Sequence, residues 1–323
     1  MGMGELMGAV RRSRFLADLS PYDRDPWRTV FAVPIGVLAA AVGALLGGIA
    51  ATLIAMLVVS GLDGAPAAGD LFSVFSASPT AFPTARQSLF LLTVLAGVNL
   101  GAAVGFVFAA GAIHHRKITD YINAGQAFRW RLLLGGLVLV GVVMTAVVGV
   151  AALSGEAMDP PIGRISPNVA GQALYAALAA ALLVLAAAAE EILFRGWLLK
   201  QSAAYIHNPV ALMVLNGLLF AAIHFDPNID AFLVRAAMGA GLTWMALRLG
   251  GIELGVGAHA ANNAVIVLLI RPMTSHPDAP HEFRAGLIGS ALVILAGFIG
   301  VAELSLRWPA LRRWTGASAA AAA

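Results

Sequence analysis

A chain of 323 residues that is 60% hydrophobic and only 11% Asp, Glu, Lys or Arg cannot fold as a soluble domain, where about 25% of residues are charged. With no cysteine, disulfides, thiolate catalysis and Cys-ligated zinc are excluded. The net charge of +3 and pI near 9.7 would point to nucleic acid in a soluble protein, but the basic residues cluster at the ends of apolar runs, so membrane orientation accounts for them and no nucleic-acid partner is expected.

The predicted fold is all-α: a polytopic membrane protein of about eight transmembrane helices. Residues 1–28 read as a basic cytoplasmic segment with Arg11, Arg12, Arg14, Arg24 and Arg28. The first apolar run continues from Val30 to about Val59, far beyond the ~7–15 residues of a signal-peptide core. Apolar runs of about bilayer length follow at 88–113, 132–153, 169–194, 209–225, 230–248, 250–270 and 286–304, the 209–225 run being short for a span of ~20 residues. An eight-span arrangement places three basic segments on one side: the N-terminus, the 114–131 loop, and the 307–323 tail with Arg307, Arg312 and Arg313. The positive-inside rule makes that side cytoplasmic, with both termini there. The alanine- and glycine-rich composition fits a bacterial chain, hence the inner membrane. The divisions are 1–28, accessory helices 29–168, a four-helix catalytic core 169–270, a last helix 271–306 and the tail 307–323. The pairs Gly43/Gly47, Gly101/Gly105 and Gly251/Gly255 read as close helix packing, and "GASAAAAA" at the C-terminus as a frayed low-complexity end.

Polar groups are costly in lipid, so the few inside apolar runs carry the information. In "EEILFR" (190–195), Glu191 and Arg195 stand one helical turn apart and can neutralise each other. Glu190 points elsewhere and has no such partner, which suits a general base. "FAAIH" (220–224) brings His224 to the end of the short run, and "HAANN" (259–263) puts His259 and Asn263 on one helix face with Asn262 nearby. Arg235 reads as a snorkelling side chain or as a partner of Glu190 or Glu253. His114, His115, His207, His276 and His281 are assigned no role. The first three runs look nearly free of functional polar groups.

A carboxylate, two imidazoles and an amide are the parts for peptide hydrolysis: a proton acceptor for water, groups to hold that water or a divalent metal, and a donor for an oxyanion. The three motifs, in this order on separate runs, resemble those of the CPBP intramembrane proteases, the CAAX prenyl endopeptidases and bacteriocin-processing or immunity proteins, over about residues 170–270. The resemblance implies that Glu190 and His224 activate water and that His259 and Asn263 bind the oxyanion. It also implies supporting roles for Glu191, Arg195, Phe220 and Asn262. Glu190, His224 and His259 could instead hold a divalent metal, zinc first; a metal-free glutamate mechanism is the other option. The expected substrate is a membrane-associated protein or peptide. The competing readings are a non-catalytic scaffold or immunity protein of the same family, and a proton-coupled transporter.

One conflict stands in this reading. With the fourth helix ending at 194, Glu190 lies near the cytoplasmic side while His224 falls at the far end of the next run. Either the fourth helix continues through "GWLLKQSAAYI", or the fifth run is broken.

Overall fold

A computed structural model describes residues 3–78, 81–155, 158–275, 280–283 and 286–318. His276 and the last five residues of the tail lie outside them. Among the described residues the regular structure is entirely helical. Among these residues, seven helices are long and apolar enough to cross a membrane: α1 (Pro26–Asp63), α2 (Ala85–His114), α3 (Trp130–Leu153), α4 (Val169–Tyr205), then, after the shorter α5 (Pro209–Ala222), α6 (Ile229–Leu249), α7 (Glu253–Ile270) and α8 (Gly286–Arg307). The protein is thus a polytopic all-α membrane protein. The eighth apolar segment of the sequence reading is α5, whose 14 residues rise only ~21 Å at 1.5 Å each.

Local chemistry sets the helix starts. Asp25 caps α1 through the Trp27 amide, with Pro26 in the first position, where its missing N–H costs nothing. Thr84 and Gln87 form a reciprocal capping box on α2, and Asn168 caps α4. Helix α4 does not end at 194. It runs 37 residues to Tyr205, with a π-helical stretch at Ile192–Leu198 that contains Arg195. A wider turn inside a helix re-aims the residues that follow and recurs at functional sites. Glu190 therefore stands 15 residues, or ~22 Å of rise, before the end of its helix. The conflict over its depth is resolved by the longer α4.

Glycine governs close helix–helix contact at several interfaces. Along α1 and α2, a Cβ at Gly43 or Gly47 would run into the carbonyl of Gly101 or Gly97, and one at Gly101 or Gly105 into that of Gly43 or Ala39. Backbones thus touch, as the small-residue spacing predicts. Gly136 of α3 and Gly257 of α7 meet backbone across their interface in the same way. The pair Gly251/Gly255 differs: Gly251 faces the Arg129 and Glu253 side chains, and Gly255 faces Glu191 and Leu242.

The basic segments meet at one end of the bundle. Arg116 bonds Asp18 and Asp23 at 2.8 and 2.6 Å, Arg28 bonds the Ile113 carbonyl, and Arg131 bonds the Arg313 carbonyl at 2.6 Å. Ser13 bonds the Leu247 carbonyl at 2.5 Å, and Lys200, fully buried, bonds Asp18 at 2.5 Å and the Phe15 carbonyl at 2.6 Å. Residues 13–25 therefore form a strap over the ends of α2, α4 and α6. At the other terminus, Ala317 is buried and its amide bonds Thr315, so order extends into the segment expected to fray.

Candidate active site

Successive residues of a helix point about 100° apart. Glu191 turns inward and is fully buried, whereas Glu190 keeps partial exposure. Arg195 Nη1 donates to Glu191 Oε1 at 2.9 Å, one turn on, and Arg195 Nη2 donates to the Gly239 carbonyl of α6 at 3.0 Å. The expected pair exists, but it is not isolated. His259 Nδ1 lies 3.0 Å from the same Glu191 Oε1. A carboxylate only accepts, so Nδ1 is the donor and the lone pair of His259 sits on Nε2. That Nε2 faces Glu190 Oε2 at 3.7 Å.

Helix α7 can bring His259 this close because Gly255, one turn earlier, is bare: a Cβ there would sit 3.3 Å from Glu191 Oε2. Phe220 of α5 is the hub on the other side. Fully buried, it packs edge-on against His259 at 5.6 Å, His224 at 5.0 Å and Phe194 at 5.2 Å, and the Arg195 guanidinium lies 4.5 Å above its ring. This explains the F-x-x-x-H spacing: ring and imidazole stack one turn apart. His224 Nδ1 is 2.8 Å from the Phe220 carbonyl, so this nitrogen donates and Nε2 again carries the lone pair. The ring lies within electrostatic reach of Glu190, Arg235 and His259. Asn262 Nδ2 donates to Asn263 Oδ1 at 3.2 Å, so the NH2 is the end of the Asn263 amide that this bond does not use.

Arg235 pairs with neither of its two expected carboxylates. It bonds Asp226 at 2.6 Å, in the loop after α5, while Glu253 is taken by Arg129 at 2.5 Å. Both alternatives fail for the same reason: a nearer opposite charge is available at each end.

One site neighbour escaped the motif search. Asn99 of α2 donates from Nδ2 to Glu190 Oε1 at 3.0 Å. Its signal was available, since an asparagine stands alone in the apolar stretch "LAGVNLGAAVG". The first three runs are thus not mere surroundings. Among the described residues, no protein group hydrogen-bonds the other, buried oxygen, Glu190 Oε2.

Glu190, His224 and His259 are the residues that would hold an ion. Among the described residues, no three His, Cys, Asp or Glu side chains are gathered as a metal-ligand set. Glu190 and His259 converge, and His224 stands at one side of them.

Residues 172–265 match the family described as type II CAAX prenyl endopeptidase Rce1-like. The chain is also similar to the uncharacterized protein YyaK of Bacillus subtilis (strain 168), 29% identical over 185 residues, which cover 55% of this chain and 60% of the Bacillus protein. The match thus takes in less than two thirds of that relative's length. No solved structure matches. Over residues 172–265, from the first turn of α4 into α7, the chain is thus similar to that family, and this is the segment that carries the three motifs.

Proposed function

We propose that the protein is an intramembrane endopeptidase that hydrolyses a peptide bond of a membrane-associated protein or peptide, with Glu190 as the base. The observation that carries this reading is the buried Glu190 Oε2, without a hydrogen bond from any described residue and 3.7 Å from His259 Nε2, which carries the lone pair. One water at about 2.8 Å from each atom spans that separation.

Such a water donates one hydrogen to Glu190 and the other to His259, and its oxygen attacks the scissile carbonyl. The new C–O bond forms as a proton passes to Glu190. The Asn263 NH2 is the donor for the resulting oxyanion. Protonated Glu190 then returns the proton to the departing amine as the C–N bond breaks. Glu191 holds His259 in the tautomer this requires, and Arg195 holds Glu191. His224, fixed by the Phe220 carbonyl, presents Nε2 as a second acceptor at the edge of the site. No step is routed through a metal.

The positive-inside rule puts the basic end, and both termini, in the cytoplasm. Glu190, ~22 Å of helix rise from that end of α4, would then set the cleaved bond within the bilayer, well below the cytoplasmic surface.

The test uses the full chain in proteoliposomes with two probes, a prenylated CAAX peptide and an unprenylated peptide tethered by a transmembrane helix. Glu190→Gln lowers cleavage of the accepted probe by roughly 10²–10⁴-fold, the usual worth of a positioned base. Wild-type activity in that variant removes the assignment. Metal analysis of the purified protein, with activity measured after chelation, tests the absence of a metal step: a stoichiometric ion whose removal stops cleavage overturns it.

A further inference from the structure

We propose that Asn99, outside the segment that carries the family resemblance, is a positioning residue for Glu190: its amide, 3.0 Å from Oε1, turns the carboxylate so that Oε2 faces His259. This rests on Glu190 being the base. A carboxylate on a long side chain can present either oxygen by rotation. Binding one oxygen to a fixed donor leaves the other with a single direction.

The placement of Asn99 is built into the packing of α1 and α2. Gly97 and Gly101 stand two residues before and two after it, each about 160° around the helix from Asn99. Those two glycines are the ones pressed against the backbone of α1 at Gly47 and Gly43. Close packing on that face drives the opposite face, with Asn99, against α4. A second polar contact fixes the same interface. Ser88, three turns earlier on the Asn99 face, bonds Tyr175 of α4 at 2.6 Å between oxygens, and both residues are buried. Of the most apolar stretch of α1 itself, 6% is buried. The α1–α2 pair thus delivers one amide to a site made otherwise by α4, α5 and α7.

The charged and titratable groups around Glu190 are Glu191 and Arg195 on its own helix, His259 from α7, and His224 beyond α5, with Arg235 acting on His224. Asn99 adds a neutral donor to this set. Removing it takes away a hydrogen bond that is stronger to the carboxylate than to the neutral acid.

The experiment compares Asn99→Ala, Asn99→Leu and Asn99→Gln with wild type, in full-chain proteoliposomes and with the probe that wild type cleaves. Asn99→Ala is expected to lower kcat about 10–100-fold, the range for partners that orient a reacting group, with KM within about twofold. The acid limb of its pH–rate profile moves to higher pH. Asn99→Gln, which keeps the donor, recovers part of the loss. Should Asn99→Ala fail to fold, the near-isosteric Asn99→Leu removes the donor without adding a charge. An unchanged kcat and pH profile, or a loss confined to KM, overturns the proposal. A separate reading does not need activity: the infrared difference between wild type and Glu190→Gln isolates the Glu190 carboxyl band, which shifts in Asn99→Ala. If wild type cleaves neither probe, the protease reading fails, and the band still decides for or against the Asn99 contact.

Discussion

Glu191 shows how far a single side chain can be misjudged from spacing. Helix geometry separates it from Glu190 and pairs it with Arg195, which invites a purely structural reading. In three dimensions its Oε1 serves Arg195 and His259 at once, at 2.9 and 3.0 Å. Stability and chemistry therefore meet on one atom, and mutation can pull them apart. Glu191→Ala strands the fully buried Arg195 and is expected to cost about 3–5 kcal/mol in thermal or denaturant melts. Glu191→Leu combined with Arg195→Met removes both charges and is expected to recover most of that loss, since apolar replacement of a buried pair is often neutral. The double variant still lacks the acceptor for His259 Nδ1, so cleavage stays low while the melt recovers. Recovery of both would deny Glu191 any part in the chemistry.

At the scale of elements, the sequence speaks clearly where composition is extreme and poorly where geometry is shared. The apolar runs are legible because lipid demands them, and so are the motif residues on α4, α5 and α7, because polar groups are rare there. The end of α4 is not legible: the turn at Ile192–Leu198 keeps helical hydrogen bonding through Arg195 and Gly196, so a charge that reads as a boundary sits in mid-helix. Asn99 is not legible as a site residue because its importance depends on how α2 faces α4, which glycine packing on the far side decides. That packing is testable. Gly101→Ala drives a Cβ into the Gly43 carbonyl, whereas a Cβ at Gly297 of α8 meets nothing within 4 Å. Gly101→Ala is expected to lower both the melting temperature and kcat, while Gly297→Ala leaves kcat unchanged and gains up to about 1 kcal/mol of helix propensity. Equal behaviour of the two would mean that the α1–α2 contact neither stabilises the bundle nor steers Asn99.

At the scale of the whole molecule, the strap of residues 13–25 ties three helix ends together through charge. Burial alone would raise the Asp23 carboxyl, but hydrogen bonds from Arg116 and the Ser20 amide, with the charge of Arg116, outweigh it and hold Asp23 below the ordinary carboxylate range. Burial likewise lowers the Arg116 guanidinium, and the two aspartates more than restore it, so it ends above its usual value. A carboxyl depressed in the folded state stabilises above its unfolded value of about 3.9, and that contribution fades as pH falls through the folded value. Asp23→Asn should therefore melt below wild type at pH 7, with the gap closing below about pH 4. A gap that is constant with pH would assign the loss to packing instead.

The brevity of α5 has a consequence for the lipids. Its ~21 Å of rise leaves roughly 9 Å of a ~30 Å hydrocarbon layer uncrossed beside His224. Acyl chains next to it must shorten or splay, so head groups and water dip toward the imidazole from the side. The hydrolytic water can then arrive through a dent in the bilayer, and acyl-chain length becomes a variable of the reaction as well as of the solvent.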